Sequence, residues 1–149
     1  MKEAIKLARA AFSNNEVPIG AIVVDKNKEI IGKGYNKVET ENNCTNHAEI
    51  IAIKEASKNI KNWRLDGCSI YVTCEPCTMC IGAIINSRIK NLYFGCYEPK
   101  TGAVGSIYDL SKSINVYPEL LKNECSELLS NFFKNKRQSK AVNLTFDQN

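Results

Sequence analysis

The sequence predicts an α/β protein, a sheet covered by helices on both faces. Three observations carry that expectation. Helical periodicities alternate with short apolar runs along the chain, the pattern of a sheet between helix layers. The run "IGAIVVD", Ile19 to Asp25, is apolar on both faces, as a strand covered on both sides must be. A chain of 149 residues is also long enough for one domain with a real core.

Ala4, Ile5, Ala8, Ala11 and Phe12 recur at helical spacing, so residues 2–14 read as an amphipathic helix. Pro18 ends that segment, and the strand "IGAIVVD" follows. "KNK" is a turn and "EIIGKGYN" its hairpin partner. Residues 36–46 form a polar loop. "HAEIIAIKEASK" is helical, and the "CTN" before it offers capping side chains. "CSIYVT" is a strand, "CTMCIGAIIN" a short helix apolar nearly all round, and "RIKNLYFG" another strand. "CYEPKTGAVGS" is a glycine-containing loop, and "INVY" makes a short fifth strand. Leu121, Cys125, Leu128 and Phe132 line one face of a final helix. Lys134, Lys136, Arg137 and Lys140 follow. Residues 1–140 are expected as a single domain and 141–149 as a polar C-terminal tail that frays.

No apolar run reaches membrane-spanning length, and the first residues lack a signal-peptide pattern, so a cytoplasmic protein is expected. Seven cysteines is an odd number, and a reducing compartment disfavours disulfides. Clustered thiols there point to a metal or to catalysis. The net charge of +4 permits a polyanionic partner without demonstrating one.

The thiols cluster in "TCEPCTMC", Thr73 to Cys80, and the single histidine, His47, stands in "NHAEI". Zinc suits both ligand types and takes four in a tetrahedron. Cys77 and Cys80 are three apart and open a helix, so they share one face where the helix dipole favours thiolates. Pro76 sits where its fixed φ helps start that helix. Cys74 precedes Pro76 in the strand and cannot share the face. A closed structural site would join Cys44 to His47, Cys77 and Cys80. An open catalytic site would use His47, Cys77 and Cys80 and keep the fourth position for water. Glu49 tips the reading to the open site, because a carboxylate two residues from a ligand histidine has proton-transfer work only there. Both His47 and Glu49 face the metal only if His47 sits at the helix start.

H-x-E followed by P-C-x-x-C is the signature of zinc nucleobase deaminases. Its flanks, "NEVPIGAIVV", "NHAEIIAI", "YVTCEPCTMCIGAIINSRI", "FGCYEPKTGAVGS" and "NECSELLSNFFKNKR", resemble the bacterial tRNA-specific adenosine deaminase family over about Ala4 to Arg137. The resemblance implies a cytidine deaminase-like fold, a three-layer α/β/α architecture around a five-stranded mixed sheet. It implies conversion of the wobble adenosine of a tRNA anticodon to inosine, one Zn2+ per subunit, and a homodimer. The expected partner is an anticodon stem-loop, that of an arginine tRNA with an ACG anticodon. By position, His47, Cys77 and Cys80 would hold zinc and Glu49 would shuttle protons. Asn36 would contact the flipped base, with Val17, Pro18 and the Ala48 backbone in the pocket wall. Glu98 and Lys100 would contact anticodon nucleotides, and Phe132, Phe133 and Arg137 RNA near the anticodon. Cys74 stands where the family usually has an apolar residue, and Glu98 where it usually has Asp. The segment between Asp109 and Ile114 is shorter than in familiar members.

Two other functions use the same residues. One is deamination of a free nucleobase, nucleoside or nucleotide, such as guanine, cytidine or dCMP. The other is a non-catalytic zinc module that binds RNA. Read without the resemblance, Asn36 is the turn after the hairpin, Trp63 is a packing residue, and "KTGAVGS" is a glycine turn. Cys44, Cys68, Cys96 and Cys125 are expected to pack as small hydrophobes. Ile81, Ile84 and Ile85 leave no polar face on their helix, so it is expected to meet both the sheet and a partner chain.

Overall fold

Strand β1 (Gly20–Val24) is central to the hairpin half of the sheet, antiparallel both to β2 (Ile30–Tyr35) and to β3 (Ser69–Cys74). β4 (Asn91–Cys96) runs parallel to β3, and β5 (Asn115–Tyr117) parallel to β4. The computed structural model describes residues 1–146, with side chains described through Ser139. The strand order is β2-β1-β3-β4-β5, the five-stranded mixed sheet that the resemblance implies.

One sheet face carries α2 (Ala48–Ile60) and α3 (Thr78–Asn86). Ala48, Ala52 and Ala56 make a stripe of small residues on α2, and Gly32 and Gly34 of β2 lie beneath it. A methyl group at Gly34 would overlap the Ala48 carbonyl, so this close approach requires glycine. The main core lies between these layers. Ile70, Val72, Leu92 and Phe94 of the sheet pack with Ile81 and Ile84 of α3. The other face carries α1 (Lys2–Ser13), which crosses Gly20, and α4 (Lys122–Phe146), whose Cys125 lies against Gly95. Ile5, Cys74, Cys96 and Cys125 form a second, smaller core there.

Several boundaries differ from the sequence reading. β4 begins at Asn91, because Arg88 takes φ 70° in the turn after α3. The "CTN" side chains do not cap α2. Its N-cap is His47, which makes no side-chain cap bond, while Thr45 bonds Asn43 and Asn46 bonds Glu41. Cys68, Cys96 and Cys125 are buried as expected, but Cys44 is exposed on the polar loop. Trp63 does not pack. It is 59% exposed, with the Arg64 and Arg88 guanidinium carbons 5.5 and 5.9 Å from its ring centre. α4 runs as helix through Phe146, and residues 147–149 of the expected tail lie outside the described residues. Among the described residues no helix is long and apolar enough to cross a membrane.

Candidate active site

β3 and β4 end side by side, at Cys74 and Cys96, and α2 and α3 both begin at that edge of the sheet. A crevice outside the carboxyl ends of parallel strands is where α/β folds bind ligands. Here it is floored by two helix N-termini. His47 is the N-cap of α2 and Cys77 the N-cap of α3, both in extended backbone. Cys80 follows in the first turn of α3. His47 Nδ1 lies 3.6 Å from Cys77 Sγ and 3.4 Å from Cys80 Sγ. All three ligand atoms fall within 4.8 Å of one another. Tetrahedral zinc with ordinary Zn–N and Zn–S bonds separates such atoms by about 3.5 Å. The donor set therefore fits a metal ion. Cys44 is not among these three, and among the described residues no fourth protein ligand joins the group.

The electrostatics agree with the geometry. The Cys80 thiol, and then His47, hold the Cys77 thiol down to about 4 against the effect of burial. Cys80 shifts the opposite way, raised first by the neighbouring Cys77 and then by burial. Of the pair, Cys77 is thus the thiol whose surroundings favour the thiolate, the form that binds metal. Glu49, in the first turn of α2, is 4% exposed and also meets Cys80. Burial pushes its carboxyl up to about 7. A carboxyl at that value holds and releases a proton near neutral pH.

These groups open on a cavity of about 280 Å³. Val17, Asn36, Ala48 and Glu98 line it, together with Cys74 and Thr101. Pro18 is fully buried behind the lining. Asn36 is not a simple turn residue. It is buried, its backbone N–H donates to the Ile19 carbonyl at 3.0 Å, and its Nδ2 donates to Glu16 at 3.3 Å. A neighbouring groove of about 440 Å³ brings together Glu98, Lys100, Phe133 and Arg137. Phe132 stays out of that groove. It is buried edge-on between Phe12 and Phe133, at 5.6 and 5.5 Å, and supports the half-exposed Phe133 ring.

The sequence reading missed two buried carboxylates beside the cavity, Glu16 and Glu75. The available signal was an acidic residue lodged against apolar chain, in "EVPIG" and in "CEPC", since buried charges need partners. Glu16 accepts the backbone N–H of Thr40 at 2.6 Å and of Glu39 at 3.3 Å, besides Asn36. Burial raises its carboxyl, but the Thr40 and Glu39 bonds outweigh that and hold it below its ordinary 4.5. A lowered folded value stabilises above the unfolded one, and the gain is lost as pH falls through the folded value. Thermal melts should therefore show stability falling below about pH 4.5, with Glu16→Gln costing about 2 kcal/mol at neutral pH and flattening that acid limb. A variant with the same acid limb as wild type would refute the assignment.

A family model described as MafB19-like deaminase matches residues 1–137. A tRNA-specific adenosine deaminase of Buchnera aphidicola subsp. Schizaphis graminum is 52% identical over 142 residues, covering 92% of this chain and 93% of that one. The tRNA-specific adenosine deaminase of Haemophilus influenzae is 45% identical over 148 residues, 95% of this chain and 86% of that one. A solved structure from studies of A-to-I editing by tRNA:A34 deaminases at the wobble position matches with a TM-score of 0.84. It is 39% identical and covers 87% of this chain and 97% of that one.

Proposed function

The chain belongs to the tRNA-specific adenosine deaminase family, and from that premise we propose that its cavity takes the wobble adenosine of a tRNA anticodon and hydrolyses the amino group at C6. The products are inosine and ammonia. The observation that carries this reading is the buried Glu49 carboxyl, set beside the three convergent ligand atoms of His47, Cys77 and Cys80 at the end of one cavity.

His47 through Nδ1 and Cys77 and Cys80 through sulfur would hold one zinc ion per subunit. Bound there, zinc acts as a Lewis acid that makes water nucleophilic near neutral pH. Glu49 does the proton work. It takes one proton from the attacking water and gives it to N1 of the purine as the C6 carbon becomes tetrahedral, then takes the remaining proton from the new C6 hydroxyl and delivers it to the departing amine, leaving the C6 carbonyl of inosine. Asn36, fixed by Glu16, meets the base edge, and Val17 and the Ala48 backbone wall the pocket, with Pro18 packed behind them. A base inside a duplex is out of reach of such a cavity, whereas an anticodon loop offers an unstacked nucleotide at low cost. Glu98, Lys100, Phe133 and Arg137 contact the flanking nucleotides along the groove, with Phe132 bracing Phe133.

Free thiols beside a candidate metal-ligand set suit a reducing compartment and support a cytoplasmic protein. It acts as a homodimer. Met79, Gly82 and Ala83 of α3 are half-exposed and entirely apolar, and a methyl group at Gly82 would meet nothing within the subunit. A second copy covers that stripe, and light scattering should read twice the 16.6 kDa of one chain. A 16.6 kDa particle at micromolar concentration would rule it out.

The deciding experiment is inosine formation in an arginine tRNA with an ACG anticodon. Wobble conversion by the zinc-loaded protein is expected. No conversion, with turnover of guanine, cytidine or dCMP instead, would overturn the tRNA reading.

A further inference from the structure

Glu75 stands between β3 and α3, two residues before Cys77, and is 4% exposed. A buried carboxylate is costly unless it is paired. Among the described residues it has no cationic partner. Its compensation comes from one loop, residues 98–106. Oε1 accepts the backbone N–H of Val104 at 2.9 Å and of Ser106 at 3.0 Å. Oε2 accepts the backbone N–H of Glu98 at 3.0 Å and the Ser106 hydroxyl. Four donors occupy both oxygens.

The backbone reinforces the same joint. The Ala103 N–H donates to the Pro76 carbonyl at 2.9 Å, and the Glu75 N–H to the Cys96 carbonyl at 2.8 Å. Gly102 pairs with Cys77 in an isolated bridge, and any side chain at Gly102 would overlap the Glu75 carboxylate and the Glu98 carbonyl. The loop and the carboxylate therefore fit each other only as they stand.

That loop faces the substrate on two sides. Glu98 and Thr101 line the catalytic cavity, while Glu98, Pro99 and Lys100 line the groove shared with Phe133 and Arg137. Loops held this way keep a binding surface in order before the ligand arrives, which lowers the cost of binding. Glu75 also borders the cavity, but both its carboxylate oxygens are taken by loop donors, so its effect on substrate passes through Glu98, Thr101 and Lys100.

We propose that Glu75 is a positioning residue that sets RNA affinity by holding the 98–106 loop against the metal-ligating segment. The inference rests on the tRNA reading above. Glutamine at this position keeps the shape but turns an amide N–H2 toward the Glu98 N–H or toward the Val104 and Ser106 N–H groups, so one or two of the backbone bonds are lost even where the Ser106 hydroxyl reverses to accept. Glu75→Gln should raise KM for the tRNA about tenfold or more while kcat stays within about threefold and bound zinc is unchanged. Hydrogen exchange at the Val104 and Ser106 amides should accelerate about tenfold or more in the same variant, without any substrate.

A fall in kcat at unchanged KM would overturn the proposal, because Glu75 would then serve the chemical step. Unchanged exchange at Val104 and Ser106 would overturn it as well. If Glu75→Gln does not fold, Ser106→Ala removes a single donor. It should raise KM about threefold and speed exchange at residue 106, and no change in either overturns the proposal. Were wild type to edit no tRNA, the functional reading would fail, while the exchange measurement would still report whether Glu75 holds the loop.

Discussion

Glu49→Gln should lower kcat for inosine formation by about a thousandfold or more, while the protein still binds one zinc and melts no lower than wild type. A positioned acid–base group is worth about 10²–10⁴ in rate, and Glu49 carries both protons of the attacking water in turn. The amide fills the same volume but neither accepts a proton from water nor releases one to N1 near neutral pH. Stability should hold because the carboxyl is buried, pushed up to about 7, and costly to ionise. The assay is single-turnover inosine formation alongside elemental analysis of the variant. Activity within about tenfold of wild type would remove Glu49 from the chemistry and favour a non-catalytic zinc module.

Cys77→Ser should strip the metal and activity together. Loss of an outer partner of a metal ligand costs about 10–100-fold in affinity, and loss of a thiolate ligand should exceed that. Cys77 is the thiol the protein already holds low, to about 4, through Cys80 and His47. Serine is not ionised at neutral pH and offers a harder donor, so zinc should leave on dialysis against a mild chelator. Cys44→Ser is the control. Cys44 is exposed and lies outside the convergent group, so that variant should retain metal and activity. Metal loss from Cys44→Ser would restore the closed four-ligand site.

The ligands were legible because their chemistry is local. Two cysteines three apart share a helix face, and a single histidine beside a glutamate leaves few alternatives. The requirement that His47 stand at the start of its helix was also legible, since Glu49 two residues on must face the same point. His47 is the N-cap of α2. The capping residues were misread for a reason of the same kind. Thr45 and Asn46 have good capping chemistry, but their side chains are engaged by Asn43 and Glu41 within the preceding loop. Trp63 was misread because hydrophobicity alone predicts burial, while its ring lies exposed beside two guanidinium groups.

Periodicity placed nine elements in order, and motif spacing picked out His47, Cys77 and Cys80, which the fold brings within 4.8 Å of one another, and Glu49 beside them. That much the sequence determined by itself, because helix faces, strand alternation and ligand spacing are properties of neighbours along the chain. It did not determine that β3 and β4 would end in register at Cys74 and Cys96, so that one crevice collects His47 from α2 and Cys77 from α3. Nor did it reveal that Glu16 reaches Thr40, or that Glu75 reaches Val104 and Ser106. Those partners are more than twenty residues apart. A carboxylate in a short motif looks the same whether it faces water or four buried donors, and only long-range packing decides which backbone amides arrive to meet it.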